Sequence, residues 1–252
     1  MTLTSINKPN FFILGAGRSG STQLYHLLRQ HPDVFLTNPK EPSFFCEPFQ
    51  VIKNPIEYFE LYDAVSDEAI RGEASHVYLT NPTTAKVLKG LFPEARFVVI
   101  LRNPAERAYS LYQWMRRYRY EPVHTFEAAL EEEESRYNSA SFRADCPQYF
   151  YNYLYFMSGL YGQQLQRYFS LFSKQQFHIV KFEEFIVDPA NHLKEIFRFL
   201  DVDQGFSPQL AVDRNEGDAA TYEPLSIQTK ELLLEAYSSD LHHLSDMTGI
   251  SF

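Results

Sequence analysis

Cysteine and long apolar runs are scarce in this chain of 252 residues. Its two cysteines, Cys46 and Cys146, lie far apart, which excludes the framework of a small disulfide-rich domain and the close spacing of a zinc site. No apolar stretch approaches the roughly 20 residues that span a bilayer, and the N-terminal MTLTSINKPN does not pair a basic segment with an apolar one. We therefore expect reduced thiols and a cytoplasmic protein without a membrane span.

Positive charge is also in short supply, with 23 Lys and Arg against 32 Asp and Glu and a net charge of −9. Counterion release rewards basic surfaces, so no nucleic-acid partner is expected and any bound anion needs a local cationic pocket. A metal site is not expected either. The pair His242-His243 does not share a helix face, and no cluster of carboxylates or cysteines completes a site.

Apolar and aromatic residues are abundant, at 44% and 16% of the chain, enough for the core of one α/β domain over residues 1–252. Short apolar runs alternate with amphipathic segments. This alternation predicts a doubly wound, mostly parallel sheet flanked by helices. Strands are expected at 10–14, 34–37, 69–75, 96–101 and 177–182. Helices are expected after the glycine-rich turn at 15–20, at 55–65, after Asn81-Pro82, at 104–120, 125–138, 151–172, 189–200 and 225–247.

The turn after the first expected strand reads GAGRSGST, residues 15–22. It fits both the dinucleotide pattern GxGxxG and most of the P-loop pattern GxxxxGK[ST]. Both patterns present backbone N–H groups at a helix N-terminus, where an anion binds. The P-loop lysine position is Ser21 here, and the cation lies inside the loop as Arg18, which argues against a nucleotide kinase or GTPase.

The strand at 96–101 is followed by Arg102, where a P-loop hydrolase could place an aspartate that helps to hold Mg²⁺. A sulfuryl group carries less negative charge than a phosphoryl group. In-line sulfuryl transfer can therefore proceed with arginine and backbone donors in place of a metal ion. The exchange of aspartate for arginine favours sulfuryl transfer.

Four segments together carry a family resemblance. FFILGAGRSGSTQLYHLLRQHPDVFLTNPKEPSFF resembles the 5′-phosphosulfate loop region of sulfotransferases of bacterial type that use 3′-phosphoadenosine 5′-phosphosulfate (PAPS), and VVILRNPAERAYSLYQ resembles their 3′-phosphate segment. GLYGQQLQRYF and FHIVKFEEFIVDPANHLKEIFRFLDV are similar to later parts of the same family. The resemblance implies a P-loop-like sulfotransferase fold. It also implies transfer of a sulfuryl group from PAPS to a hydroxyl, with release of adenosine 3′,5′-bisphosphate.

The resemblance also assigns residues to the donor. Arg102 and Ser110 would bind its 3′-phosphate, and Arg214 is the substitute for a C-terminal Lys-Gly-Arg loop that this chain does not show. The acceptor would be a small molecule, a glycan or a carrier-bound hydroxyl. The phosphosulfate would be bound by Arg18, Ser19, Gly20, Ser21 and Thr22.

Two residues compete for the role of general base. Glu41 matches the acidic base of the heparan sulfate and tyrosylprotein branches, and His76 matches the histidine of the cytosolic small-molecule and polyketide branches. A histidine with a pKa near its usual value of about 6.5 can act as a base at neutral pH without a shift. A glutamate, with a usual pKa near 4.3, needs its pKa raised by burial to do so. We favour His76, with Glu41 orienting it or the acceptor. Ala74 replaces a lysine common in carbohydrate-acting relatives, so Arg18 would supply more of the charge at the leaving group.

Two other functions are consistent with parts of the sequence. An oxidoreductase that binds NAD or FAD through GxGxxG would place an acidic residue after the second strand, where Thr37-Asn38 stand. A non-catalytic PAPS-binding protein would keep the donor pocket and could lose the base. The presence of both Glu41 and His76 argues against this second alternative.

Overall fold

The computed structural model describes residues 7–210 and 224–252, so the predicted cofactor contact Arg214 lies outside the described residues. The described residues form two compact units. The first contains residues 7–101 and 168–210, and the second contains 102–167 and 224–252. A single functional domain over 1–252 stays a prediction.

The first unit holds a five-stranded sheet with the order β2-β3-β1-β4-β5. Every neighbouring pair of these strands is parallel, which confirms the predicted α/β class. β4 reads as an uninterrupted apolar run after its first residue because it is covered on both faces. The strands are β1 Phe11–Ile13, β2 Val34–Leu36, β3 Ile70–Ala74, β4 Arg96–Leu101 and β5 Phe177–Lys181.

The helices in the described part of the chain largely follow the predicted order. They are α1 Ser21–Leu28, α2 Pro55–Glu60, α3 Val77–Thr80, α4 Thr84–Leu91, α5 Pro104–Arg117, α6 Phe126–Glu131, α7 Glu133–Asn138, α8 Ala140–Asp145, α9 Tyr161–Phe169, α10 Phe182–Phe185, α11 Pro189–Leu200 and α12 Ile227–Thr248. The start of α5 shows why caps are informative. Asn103 Oδ1 accepts the N–H groups of Ala105 and Glu106 at 3.1 and 3.2 Å, and Pro104 takes the first helical position.

The prediction of a helix over 151–172 is wrong for the first half of that range. Two short 3₁₀ helices, Phe150–Tyr153 and Met157–Gly159, precede α9 instead. Glu133 accepts the N–H groups of Phe156 and Met157 at 2.6 and 3.2 Å, and Asp240 accepts two N–H groups in the first turn of α9. These carboxylates, which come from distant parts of the chain, satisfy backbone donors that a continuous helix would pair internally.

Side chains alternate across the sheet. Phe11 and Ile13 pack into a core with α1 and α11, while Phe12 between them packs against Phe45 and Phe97 on the opposite face. This alternation buries both faces of the sheet within the first unit. The second unit has its own core, in which apolar residues of α5 cluster with others from α6 and α12.

Candidate functional site

The glycine-rich turn joins β1 to α1 in the first unit. The N–H groups of Leu14 and Ala16 bond to carbonyls of β4 at 3.0 and 2.7 Å, so the turn leaves the central strand β1 beside β4. Arg18 and Gly20 have φ of 67° and 86°, in the left-handed region, and Gly20 is the N-cap of α1. The turn therefore ends in backbone N–H groups at a helix N-terminus, the feature that favours an anion.

Close approaches explain two of the glycines. A Cβ atom on Gly17 would lie 2.8 Å from Cδ2 of the His76 ring, and one on Gly20 would lie 2.8 Å from the Phe182 ring. Neither approach leaves room for a side chain. The imidazole of His76 is consequently held against the turn that the sequence predicts to bind the phosphosulfate.

Ser19 supplies an independent sign of a ligand. The residue is fully buried, and its hydroxyl finds no hydrogen-bond partner within the described ranges. An unsatisfied buried hydroxyl costs about 1–3 kcal/mol, which an oxygen of a bound anion would recover. Ser21 is buried at the first position of α1, and Thr22 next to it is exposed. The turn thus fits the phosphosulfate end of PAPS.

Glu41 lies in the loop after β2, residues 37–45, which we call the Glu41 loop. Its backbone φ is 64°, and its N–H donates to the carbonyl of Ala74 at 2.9 Å. Oε2 accepts the backbone N–H of His76 at 2.8 Å and contacts the Nδ1 atom of its ring at 2.9 Å. Oε1 accepts from the ammonium of Lys40. Both predicted candidate bases therefore meet in one hydrogen-bonded pair.

The charge state of Glu41 follows from these contacts. Burial acts to raise the pKa of the Glu41 carboxyl, but the positive charges of protonated His76 and of Lys40, with their hydrogen bonds, outweigh burial and lower the pKa to about 2. Glu41 is therefore a carboxylate at neutral pH. A carboxylate with so low a pKa is a weak proton acceptor.

The contact with Glu41 also fixes which ring nitrogen of His76 faces the carboxylate with a hydrogen. An ionised carboxylate only accepts hydrogen bonds, so Nδ1 of His76 carries the hydrogen that is donated to Glu41. In the neutral ring, Nε2 is then the nitrogen that has the lone pair. This nitrogen would lie 3.5 Å from a Cβ atom placed on Gly17, which puts the basic nitrogen beside the glycine-rich turn.

A buried carboxylate that the sequence interpretation left without a role lies behind this pair. Glu73, in β3, is fully buried and accepts hydrogen bonds from the hydroxyls of Tyr58, Ser75 and Tyr78 at 2.7, 2.7 and 3.0 Å. Burial raises its pKa to about 7 although the three hydroxyls act to lower it. An acidic residue inside a strand predicted for the sheet was the available signal.

Arg102 and Ser110 belong to the second unit. Arg102 directly follows β4, its guanidinium lies 3.8 Å from the Glu106 carboxylate, and its carbonyl accepts the Tyr161 hydroxyl at 3.0 Å. Ser110 lies in α5, and both predicted residues are partly exposed. Lys230 of α12 also bonds to Glu106, at 2.6 Å. Arg102 thus has a fixed acidic neighbour, and its predicted phosphate contact stays a prediction.

Two features are absent from the described ranges. Across residues 7–210 and 224–252, no three His, Cys, Asp or Glu side chains are grouped so as to hold a metal ion. In the same part of the chain, the helices are too short or too polar to pass through a membrane.

Comparison with known proteins gives the family. A family model described as the sulfotransferase domain matches residues 8–216. A solved sulfotransferase from Alicyclobacillus acidocaldarius is 29% identical, with a TM-score of 0.84 over 98% of both chains. A sulfotransferase domain from the curacin biosynthetic pathway shares the fold, with a TM-score of 0.53 at 16% identity. The chain belongs to the sulfotransferase domain family, and it is an enzyme of that class.

Curated relatives agree with this family. The membrane-associated sulfotransferase kil1 of Dictyostelium discoideum is 24% identical over 97% of this chain and 66% of its own length. The bifunctional heparan sulfate N-deacetylase/N-sulfotransferase 1 of Caenorhabditis elegans is 29% identical over 79% of this chain and 23% of its own length. This chain therefore spans less than two thirds of the length of each of these two relatives.

Proposed function

We propose that this enzyme transfers a sulfuryl group from PAPS to an acceptor hydroxyl and releases adenosine 3′,5′-bisphosphate. The observation that carries the proposal is the His76 ring, which a carboxylate orients against an anion-binding glycine-rich turn. Sulfuryl transfer to a hydroxyl needs a proton acceptor next to the group that is transferred. The position of the His76 ring against Gly17 of the turn supports this proposal.

In the proposed reaction each residue has one chemical role. His76 Nε2 takes the proton of the acceptor hydroxyl while the acceptor oxygen forms a bond to sulfur. The bond from sulfur to the 5′-phosphate oxygen breaks in line with this attack. The N–H groups of the turn and the Arg18 guanidinium stabilise the charge that develops on the leaving phosphate. Glu41 keeps the imidazole in the required tautomer.

The residues for the donor's other end are assigned from the family resemblance. Arg102 and Ser110 bind the 3′-phosphate, as the family resemblance implies. The acceptor is a hydroxyl of a small molecule, a glycan or a carrier-bound chain. A net charge of −9 argues against a long polyanionic acceptor, which would need a basic groove.

A radiolabelled sulfate transfer assay tests the proposed function. The protein is incubated with ³⁵S-labelled PAPS and a library of hydroxyl acceptors, and label should move to at least one of them. Binding of adenosine 3′,5′-bisphosphate without transfer to any acceptor would favour the non-catalytic alternative. Hydride transfer with a nicotinamide or flavin cofactor would favour the oxidoreductase.

Replacement of Arg102 tests the 3′-phosphate assignment. Arg102→Ala should weaken the binding of adenosine 3′,5′-bisphosphate by about 1.5–3 kcal/mol, the scale of a charge-assisted hydrogen bond. Arg117→Ala, at the far end of the same helix, removes an equal charge and is the matched control. Titration calorimetry measures both. Equal affinities for the Arg102 variant and the wild-type protein would remove the assignment.

Metal independence is a second prediction. Arg18 and Arg102 stand where a metal-dependent P-loop enzyme would have different residues, so sulfuryl transfer should survive exhaustive chelation with EDTA. Initial rates are compared before chelation, after chelation and after addition of Mg²⁺. A loss of activity that Mg²⁺ restores would return a kinase-like mechanism to consideration.

A further inference from the structure

The Glu41 loop has an unusual backbone. Glu41 and Ser43 have φ of 64° and 52°, in the left-handed region that side chains other than glycine rarely adopt. Such conformations cost on the order of 1–3 kcal/mol each and persist where the surrounding structure imposes them. Because Glu41 orients His76, the groups that impose this loop conformation determine where the candidate base points.

Two hydroxyls hold the loop from the side of β3 and α3. The N–H of Ser43 donates to Ser75 Oγ at 3.1 Å, and the N–H of Phe45 donates to the Tyr78 hydroxyl at 3.2 Å. Both hydroxyls are buried. A serine or tyrosine hydroxyl that accepts such a bond still has one hydrogen to donate, and it needs an acceptor when it is buried.

Glu73 is that acceptor for both hydroxyls. Ser75 Oγ donates to Glu73 Oε2 at 2.7 Å, and the Tyr78 hydroxyl donates to Oε1 at 3.0 Å. Two chains therefore run from loop N–H to hydroxyl to the same carboxylate. In its ionised form Glu73 accepts and does not donate, so it fixes the direction of both hydroxyls and leaves their lone pairs for the loop.

We propose that Glu73 is a positioning residue for the candidate base. It acts through the hydroxyls of Ser75 and Tyr78, which fix the loop that carries Glu41. The predicted effect of Glu73 on kcat rests on the proposed function, because it needs a sulfuryl transfer reaction to measure. The geometric consequence, a His76 ring protonated at Nδ1, can be measured without any acceptor.

Two tyrosines provide a matched test. Tyr58 and Tyr78 are both fully buried and donate to the same oxygen, Oε1 of Glu73, but of the two, within the described residues, only Tyr78 accepts a loop N–H. Tyr78→Phe breaks one of the chains to the loop, whereas Tyr58→Phe removes an equivalent hydroxyl and leaves both chains intact. Ser75→Ala breaks the second chain with a smaller change of side chain.

The expected results separate positioning from general stability. All three variants lose a buried hydroxyl and should unfold at lower temperature. Tyr78→Phe and Ser75→Ala should lower kcat by about 10- to 10²-fold with an unchanged KM for PAPS, because a misplaced base slows the chemical step. Tyr58→Phe should stay within about threefold of wild type in kcat. ¹⁵N NMR of the His76 ring should report loss of the Nδ1–H form in Tyr78→Phe and Ser75→Ala but not in Tyr58→Phe.

Three outcomes would overturn the positioning role. Tyr58→Phe could reduce kcat as much as Tyr78→Phe, which would make the effect one of general stability. The ring signals of His76 could be identical in all variants. Ser75→Ala and Tyr78→Phe could both keep the wild-type kcat. Absence of transfer by the wild-type protein would instead refute the proposed function, and the NMR comparison would still test the positioning of His76.

Discussion

His76→Ala is expected to lower kcat by about 10²- to 10⁴-fold, the contribution typical of a general base. The imidazole is the group whose basic nitrogen lies beside Gly17, while the competing carboxylate of Glu41 has its pKa lowered to about 2. The affinity for adenosine 3′,5′-bisphosphate should barely change, because the substitution leaves the turn and α1 intact. Steady-state kinetics with labelled PAPS and titration calorimetry measure the two quantities.

A rescue experiment sharpens this test. Ala at position 76 leaves a space the size of the ring beside Gly17, and exogenous imidazole that enters it should restore part of the lost kcat. His26→Ala is the matched control, since His26 is an exposed histidine of α1. A His76 variant that stays within about threefold of wild type, far below the range for a general base, would contradict the assignment.

The sequence predicts the elements whose signals are local. β4 and α11 have the bounds predicted for them, because an apolar run ends at Arg102 and because Asp188-Pro189 caps and starts the helix. The parallel sheet follows from the alternation of such elements. The region before α9 could not be predicted in the same way, since the carboxylates of Glu133 and Asp240 that reshape it are distant in sequence.

The candidate site shows the same division. The glycine-rich turn, Glu41 and His76 are each visible as motifs, and the common orientation of an imidazole by a carboxylate predicts that the last two act together. The direction of their hydrogen bond, the contact of Lys40 with Glu41 and the Glu73 network depend on which loop packs on which strand. These contacts join residues from separate elements, so spacing along the chain does not reveal them.

Glu41→Gln distinguishes a carboxylate that orients His76 from one that is itself the base. Oε2 of Glu41 accepts from His76, while Oε1 accepts from Lys40. A glutamine has one oxygen and one NH₂ group, so either orientation of its amide sets a donor against a donor. We expect kcat to fall by roughly 10²-fold, a partial loss of general-base catalysis, because the amide lacks the negative charge that orients the His76 ring and stabilises it when it takes the proton.

The double variant decides between the roles of Glu41. If Glu41 works through His76, then Glu41→Gln in the His76→Ala background should lower kcat by less than about threefold further, since there is no ring left to orient. If Glu41 is the base, Glu41→Gln alone should be nearly inactive while His76→Ala retains most of its kcat. If Glu41 instead anchors the acceptor, Glu41→Gln should mainly raise the acceptor KM. Measurement of kcat and of the acceptor KM for the wild type, the two single variants and the double variant therefore assigns the base, because each role predicts a different pattern over the four proteins.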